Sequence, residues 1–298
     1  MFIKRPPTPI STNFWMLGTT EYPVFRFEDT IFEAAVSSVV PVIARQMTSL
    51  GLPPPRQLVI THAHPDHVMG VPVFRKLFPG IEVLSSAAAA RTLLNEKAVS
   101  FFCKMDQMLA AALQQSRSIG EADRAEPPSE MKIAVDRTLK EGDRVGGFIV
   151  LETPGHSECS LSFYEPDRKI LIISDVTGYY LPEANWWWPN YFASYAATLD
   201  SIRKLSALRT EVLCLSHNTV LQGADAIAAY FAGALAATEA YHQRIVDATR
   251  AGKASRALAE ELGAEVYART QLLPLEFFQK NCALLVKQSL QHAGLAER

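Results

Sequence analysis

The segment His62-Ala63-His64-Pro65-Asp66-His67 places three imidazoles and a carboxylate within six consecutive positions. Histidine and aspartate are poor core residues, whereas neutral imidazole and carboxylate are good ligands for divalent ions. In an extended backbone, side chains two apart point to the same side. His62 and His64 can therefore grip one ion, while Asp66 and His67 face elsewhere and are available to another. The spacing points to a two-metal centre, and such a centre needs further donors from later in the chain.

The motif is delivered by Leu58-Val59-Ile60, a short continuous apolar run that suits a strand buried on both faces. Ligands gather at the carboxyl ends of strands in open α/β sheets, and the remaining donors follow that rule. His156 comes just after the predicted strand Phe148 to Glu152, Asp175 just after Lys169 to Ile173, and His217 just after Val212 to Leu215. One such residue alone would read as a turn or a cap; three at strand ends read as a donor set. His242 and His292 lie inside predicted helices and read as surface or helix-packing residues. Cys159 is three residues from His156 and reads as a buried structural thiol, a reactive or metal-bound thiol being the alternative.

Elsewhere, Asn13 to Val36 alternates short apolar runs with turn-formers and predicts three strands. A helix follows from about Val40 to Ser49 with Pro41 in its first turn, then an extended Pro53-Pro54-Pro55 loop, a helix over Val71 to Phe78 and a strand over Ile81 to Leu84. Ser86 to Ser116 is rich in strong helix formers and predicts one long helix or two. Its apolar members, among them Phe101, Phe102 and Met105, form a core face or line a substrate pocket. Strands are predicted at Ile133 to Val135 and Leu161 to Tyr164, and a helix at Tyr191 to Leu208. After Gly223 the texture becomes alanine-rich, with helices to about Thr249, over Ser255 to Thr270 and over Leu275 to His292. Residues 1–222 thus read as an α/β catalytic domain and 223–298 as a helical appendage expected to cap the active site.

The 298 residues are 48% hydrophobic and 20% charged, ordinary for a globular chain. With Lys+Arg 29 against Asp+Glu 31, the net charge of -2 offers nothing to nucleic acid or an anionic membrane. A small or amphipathic substrate is the expected partner. The start lacks the apolar run of a secretory signal, and no stretch reaches the roughly 18 apolar residues of a membrane span. The cysteines Cys103, Cys159, Cys214 and Cys282 have no paired spacing, so a reduced, cytoplasmic setting is expected.

The set His62-x-His64-x-Asp66-His67, Gly155-His156, Asp175 and His217 resembles the metallo-β-lactamase superfamily, in matching order from about Asn13 to Leu221. The resemblance implies a four-layer αββα sandwich with the metals at one edge of its two sheets. It implies that His62, His64 and His156 hold the first ion, that Asp66, His67 and His217 hold the second, and that Asp175 bridges them. An aspartate at the bridging place, where the true β-lactamases carry cysteine, is similar to the glyoxalase II, lactonase and thioesterase branches. Ser174 and Ser216 depart from the pattern, since glycine usually precedes the bridging acid and the last histidine. The N-terminal strands, helical insert and helical tail make the layout most similar to the quinolone signal response proteins, thioesterases of 2-aminobenzoylacetyl-CoA.

The implied chemistry is hydrolysis. Two divalent ions sharing a water lower its pKa from ~15.7 toward neutrality, and the hydroxide attacks a thioester or related ester carbonyl. Zinc is the first expectation; iron and manganese suit the same donors. Asp66 could orient the nucleophile and carry a proton. Tyr179, shortly after Asp175, either donates a hydrogen bond to the substrate carbonyl or packs. Trp186, Trp187 and Trp188 form an aromatic wall for an acyl group or anchor their loop against the appendage. The alternatives are a lactonase and a regulatory protein that keeps its metal site but acts through its helical segments, on a second copy or another protein.

Overall fold

The computed structural model describes residues 2–271 and 273–295. The first part of the chain forms β1 (Phe2–Ile3), β2 (Thr8–Ser11), β3 (Phe14–Gly18), β4 (Pro23–Phe27), β5 (Thr30–Phe32), α1 (Val40–Ser49) and β6 (Gln57–Val59). Next come α2 (Pro65–Val68), α3 (Val71–Leu77), β7 (Glu82–Ser86), α4 (Ala87–Leu93), α5 (Glu96–Gln115), β8 (Arg137–Leu139), β9 (Arg144–Val145) and β10 (Phe148–Glu152). Then follow β11 (Leu161–Glu165), β12 (Ile170–Ile172), β13 (Tyr179–Leu181), β14 (Trp186–Trp188), α6 (Tyr195–Ser206), β15 (Val212–Cys214) and β16 (Val220–Gln222). The helices α7 (Ala224–Arg250), α8 (Ser255–Thr270) and α9 (Leu275–His292) complete the order.

Two mixed sheets flanked by helices make an αββα sandwich. One sheet has the order β2-β3-β4-β5-β6-β7-β8, antiparallel through β5 and parallel from there on. The other runs β1-β16-β15-β12-β11-β10-β9, with β12 and β15 its parallel pair. β6 lies between two parallel neighbours, and Leu58, Val59 and Ile60 are all fully buried, as a continuous apolar run requires.

The chain divides into two compact units. The first contains both sheets and α1 to α5. Its core lies between the sheets, where the ring of Phe32 meets Phe148 at 4.8 Å and Phe163 at 5.0 Å, and Phe27 meets Phe148 edge-on at 5.4 Å. Each fully buried phenylalanine contributes roughly 1.5–3 kcal/mol. Phe32 ends β5, so its burial fixes where the chain emerges at Glu33.

The second unit comprises Thr153–Glu158, Asp175–Arg209 and the helices from Ala224 onward. Its core gathers Trp188, Tyr191, Tyr195 and Leu199 with Leu258, Leu262, Phe278, Leu285 and Leu290 of α8 and α9. Arg244 of α7 binds Glu261 and Glu265 of α8, adding an ion-pair network at its surface.

Helix ends follow their capping chemistry. Asn95 caps α5 by accepting from the Lys97 and Ala98 amides, and Ser194 caps α6 by accepting from Ala197. The Ser194 cap explains why α6 begins at Tyr195 rather than at the expected Tyr191. The Ser86 to Ser116 segment is two helices, broken where Asn95 starts the second. On α5, Phe102 and Met105 are buried while Phe101 is exposed, so the three do not share a face. The expected strand at Ile133 to Val135 is irregular. Its apolar signal reflects the burial of Ile133, whose amide is held by the Leu93 carbonyl, and the strand begins instead at Arg137. The tryptophan segment is a strand in a hairpin rather than a loop, with Tyr179 opposite Trp188 and Tyr180 opposite Trp187. Tyrosine and tryptophan favour that pleated setting.

Asp106 of α5 is fully buried and accepts from the Ser37 amide at 2.8 Å and the Ser37 hydroxyl at 2.5 Å. Burial outweighs these bonds and pushes its carboxyl up to about 6. A folded-state value above the unfolded ~3.9 means that the native chain binds the extra proton between these two values. Stability from this group is therefore present at the acidic end and lost as pH rises through about 6. Urea denaturation of Asp106→Asn and wild type should show the variant gaining on wild type from pH 4 to 7.5, by on the order of 2 kcal/mol. A difference independent of pH would contradict this assignment.

Candidate metal centre

The first unit brings five of the expected donors together. Beyond β6 the chain bends at Thr61, His62 and His64, then Pro65 starts the single turn α2, with His64 at its N-cap position in an extended conformation (φ -110°, ψ 156°). This change of backbone separates the motif into two halves. His62 and His64 sit on the loop before the turn, with His62 Nε2 and His64 Nδ1 3.1 Å apart. Asp66 and His67 sit on the helical half. Asp66 Oδ2 lies 3.5 Å from His67 Nε2 and 3.6 Å from His217 Nε2, and all three residues offer ligand atoms within 4.8 Å of one another. Two nitrogens on a tetrahedral ion with Zn–N of 2.0–2.1 Å are roughly 3.4 Å apart, so these separations match shared coordination better than good hydrogen bonds.

Outer contacts settle which nitrogen of each ring faces inward. His67 Nδ1 donates to Glu33 Oε2 at 2.9 Å, and His217 Nδ1 to the Glu21 carbonyl at 2.8 Å. His62 Nδ1 lies 3.0 Å from the Thr61 hydroxyl, which itself donates to Glu33 Oε1 at 2.5 Å. His62, His67 and His217 thus spend the Nδ1 proton on an outer acceptor and keep the Nε2 lone pair for an ion, the arrangement typical of metal-ligating histidine, whereas His64 turns its Nδ1 toward His62 Nε2. Glu33 also falls within a group with His62 and His67 that could hold an ion. Its two oxygens already serve Thr61 and His67, which makes it an outer anchor. Ser216 donates to the Ile173 carbonyl at 2.9 Å. Its hydroxyl in place of a hydrogen is therefore absorbed by the loop.

The second unit holds the other two donors. His156 Nδ1 donates to the Asn190 carbonyl at 2.8 Å, leaving Nε2 3.6 Å from Asp175 Oδ2. Gly155 makes this possible: it has φ +136°, and a Cβ there would lie 2.5 Å from the Thr198 amide. Its carbonyl accepts from Ala193 and Ser194, holding the His156 loop against the start of α6. Asp175 opens the 3-10 turn Asp175–Thr177, three residues beyond the end of β12.

The remaining candidates occupy packing positions. Tyr179 is half-buried, and it packs with Trp186 against the helical core of the second unit. Trp187 meets Tyr180 at 4.4 Å and Tyr230 at 5.7 Å; Trp188 meets Phe278 at 5.5 Å; the Arg269 guanidinium lies 5.0 Å over Trp186. These contacts anchor the hairpin to the C-terminal helices. His242 stacks on Tyr195 at 4.0 Å, and His292 meets the same ring at 4.8 Å, so both pack between helices. The Cys159 thiol is buried and accepts from the amide of Ala63, inside the histidine motif, at 3.3 Å. All four cysteines are buried, and none is joined in a disulfide.

Sequence reasoning missed the outer anchors. Glu33 had one visible sign, a lone acid in the apolar run Thr30 to Val36 beside the strand that carries the motif. The carbonyls of Glu21 and Asn190 had none.

A two-sheet αββα sandwich with buried imidazole and carboxylate groups at its strand ends is the architecture of a metal-dependent hydrolase class. The chain belongs to the metallo-β-lactamase superfamily, whose family model matches residues 41–217. Among curated relatives, the uncharacterized protein YobT of Bacillus subtilis (strain 168) is 26% identical over 148 residues, covering 50% of this chain and 57% of that protein. Among solved structures, a metallo-beta-lactamase family protein of Thermus thermophilus superposes with a TM-score of 0.64 at 17% identity, covering 96% of this chain and 95% of that one. A beta-lactamase domain protein of Burkholderia ambifaria gives 0.61 at 18% identity, covering 96% and 88%. At these identities the likeness speaks for the fold. Among the described residues, no helix is long and apolar enough to cross a membrane.

Proposed function

We propose that the chain is a dinuclear metal-dependent hydrolase of thioesters of the acyl-CoA kind. The observation that carries the reading is the Asp66, His67 and His217 group, whose inward atoms are spaced for an ion and whose histidine Nδ1 atoms are already committed outward. His62, His64 and His156 would hold the other ion, and Asp175 would serve as the ligand common to both. Chain order and the tethering of His156 and Asp175 within a few residues of β10, β11 and β12 support that assembly. The donors are all nitrogen and oxygen, which suits zinc, iron or manganese, and an aspartate in the shared place favours ester over β-lactam chemistry.

When bound, the ions supply hydroxide at neutral pH and an electrophile for the carbonyl oxygen. The protein's part is to aim and to move protons. Asp66 is the donor residue best placed for this, with a side chain 24% exposed against 2% for His67. Its carboxylate can orient the attacking water and take up the proton released as the new C–O bond forms. As the C–S bond breaks, that proton passes to the departing thiolate, so acid and thiol leave in balance. Tyr179, four residues after Asp175, is the candidate donor to the substrate carbonyl if its hydroxyl is not spent on the packing described above.

The purified, metal-loaded chain should release free thiol from an acyl-CoA panel faster than it opens lactones or cleaves hydroxyacylglutathione. A lactone preference would replace the substrate class. No turnover of any class with metal bound would remove the enzymatic reading in favour of a regulatory one.

A further inference from the structure

Asp175 stands at the head of a 3-10 turn whose other end is held by the C-terminal helices. The Thr177 hydroxyl lies 2.7 Å from the phenolic oxygen of Tyr230, which comes from the second turn of α7. Both side chains are buried, at 2% and 3% exposure. The Tyr230 ring is wedged edge-on to Tyr180 at 5.1 Å and against Trp187. Burial pushes its phenol above the ordinary value, so the oxygen keeps its proton at physiological pH. Gly178 closes the turn: its amide donates to the Asp175 carbonyl at 2.9 Å, its φ is +79°, and a Cβ would lie 2.3 Å from the Trp188 carbonyl. The turn is thus pressed onto β14 on one side and hydrogen-bonded to α7 on the other.

Phenylalanine and valine would fill the same space without desolvating two hydroxyls. What the hydroxyl pair adds over them is direction, since a hydrogen bond fixes the rotation of the turn as packing alone does not. We propose that the Tyr230–Thr177 hydrogen bond is a positioning device that locks the Asp175 turn, so that a residue of α7 sets the affinity and geometry of the metal centre. The inference rests on Asp175 being the shared ligand.

The test uses the full-length chain titrated with Zn(II) against a competing chelator, and with Co(II) followed by its visible absorption. Tyr230→Phe and Thr177→Val should each weaken metal binding by about 10- to 100-fold and alter the Co(II) spectrum. Thr177→Ser, which keeps the hydroxyl, should behave as wild type. The double variant Tyr230→Phe/Thr177→Val should bind no more weakly than either single, because all three lose the same bond. Asp175→Ala is the control that separates the two readings. If it leaves metal stoichiometry and spectrum unchanged, the ligand assignment itself fails. If it abolishes the tighter binding while Tyr230→Phe and Thr177→Val keep wild-type affinity and spectrum, the positioning role is overturned, whatever their melting temperatures.

Discussion

Asp66→Ala should lower hydrolysis by roughly 10³-fold or more and reduce the bound metal from about two ions per chain to about one. Asp66 Oδ2 lies 3.5 Å from His67 Nε2 and 3.6 Å from His217 Nε2. Without it the ion of this group would keep two neutral imidazoles and a carboxylate shared with the first ion, a weaker site, and losing an ion's electrostatic contribution of several kcal/mol corresponds to a factor of this size. The substitution also removes the carboxylate proposed to carry the proton. Assay of thiol release together with metal analysis checks both consequences. A variant with two ions and near-normal rate would show that the group is structural. His242→Ala, which alters a ring packed on Tyr195, should leave rate and metal content unchanged. If hydrolysis vanishes in Asp66→Ala while a cellular phenotype persists, output through protein contacts gains the argument.

Glu33→Gln is the second large effect, and it acts without touching a proposed ligand. Glu33 is buried at 2% exposure and accepts through both oxygens, one from the Thr61 hydroxyl and one from His67 Nδ1. Glutamine has one acceptor oxygen and one amide donor, so one of these two contacts must become donor against donor. If the amide faces His67, that ring flips or changes tautomer, and Nε2 no longer offers a lone pair inward. If it faces Thr61, the hydroxyl under His62 turns away. Either way metal affinity should fall about 10- to 100-fold, and stability by about 1–3 kcal/mol for an unsatisfied buried group. Calorimetric metal titration and urea denaturation measure the two separately. Unchanged affinity with lowered stability would confine Glu33 to a fold role.

The donors were legible because metal chemistry restricts residue type, and strand ends restrict position. His62, His64, Asp66, His67 and His217 meet in one unit, each beside a buried strand that its own apolar run had announced. The helices Ser255–Thr270 and Leu275–His292 were also legible to the residue, since long runs of helix formers leave little choice. What escaped the sequence depends on backbone atoms or on a single side chain. The carbonyls of Glu21 and Asn190 that orient two histidines belong to residues whose side chains carry no hint of the role. Glu33 was one acid inside an apolar run that reads as a strand, and nothing in the run says which way its side chain is spent. The strand at Trp186–Trp188 was hidden because it and its partner Tyr179–Leu181 are each only three residues long.

The division of the chain into units has a consequence for how such a protein can be inherited. The backbone passes between them five times, at residues 152/153, 158/159, 174/175, 209/210 and 223/224. Helices α7 to α9 look like a tail that a single recombination event could add or delete. They are not a cassette: the hairpin of β13 and β14, interior to the chain, depends on Tyr230 and Phe278 of that tail for its aromatic neighbours. A lineage that exchanged only the residues after Gly223 would leave Tyr180, Trp187 and Trp188 facing unfamiliar partners. Tail and hairpin must therefore diverge together, as a matched pair separated in the gene by a strand-bearing segment that belongs to neither.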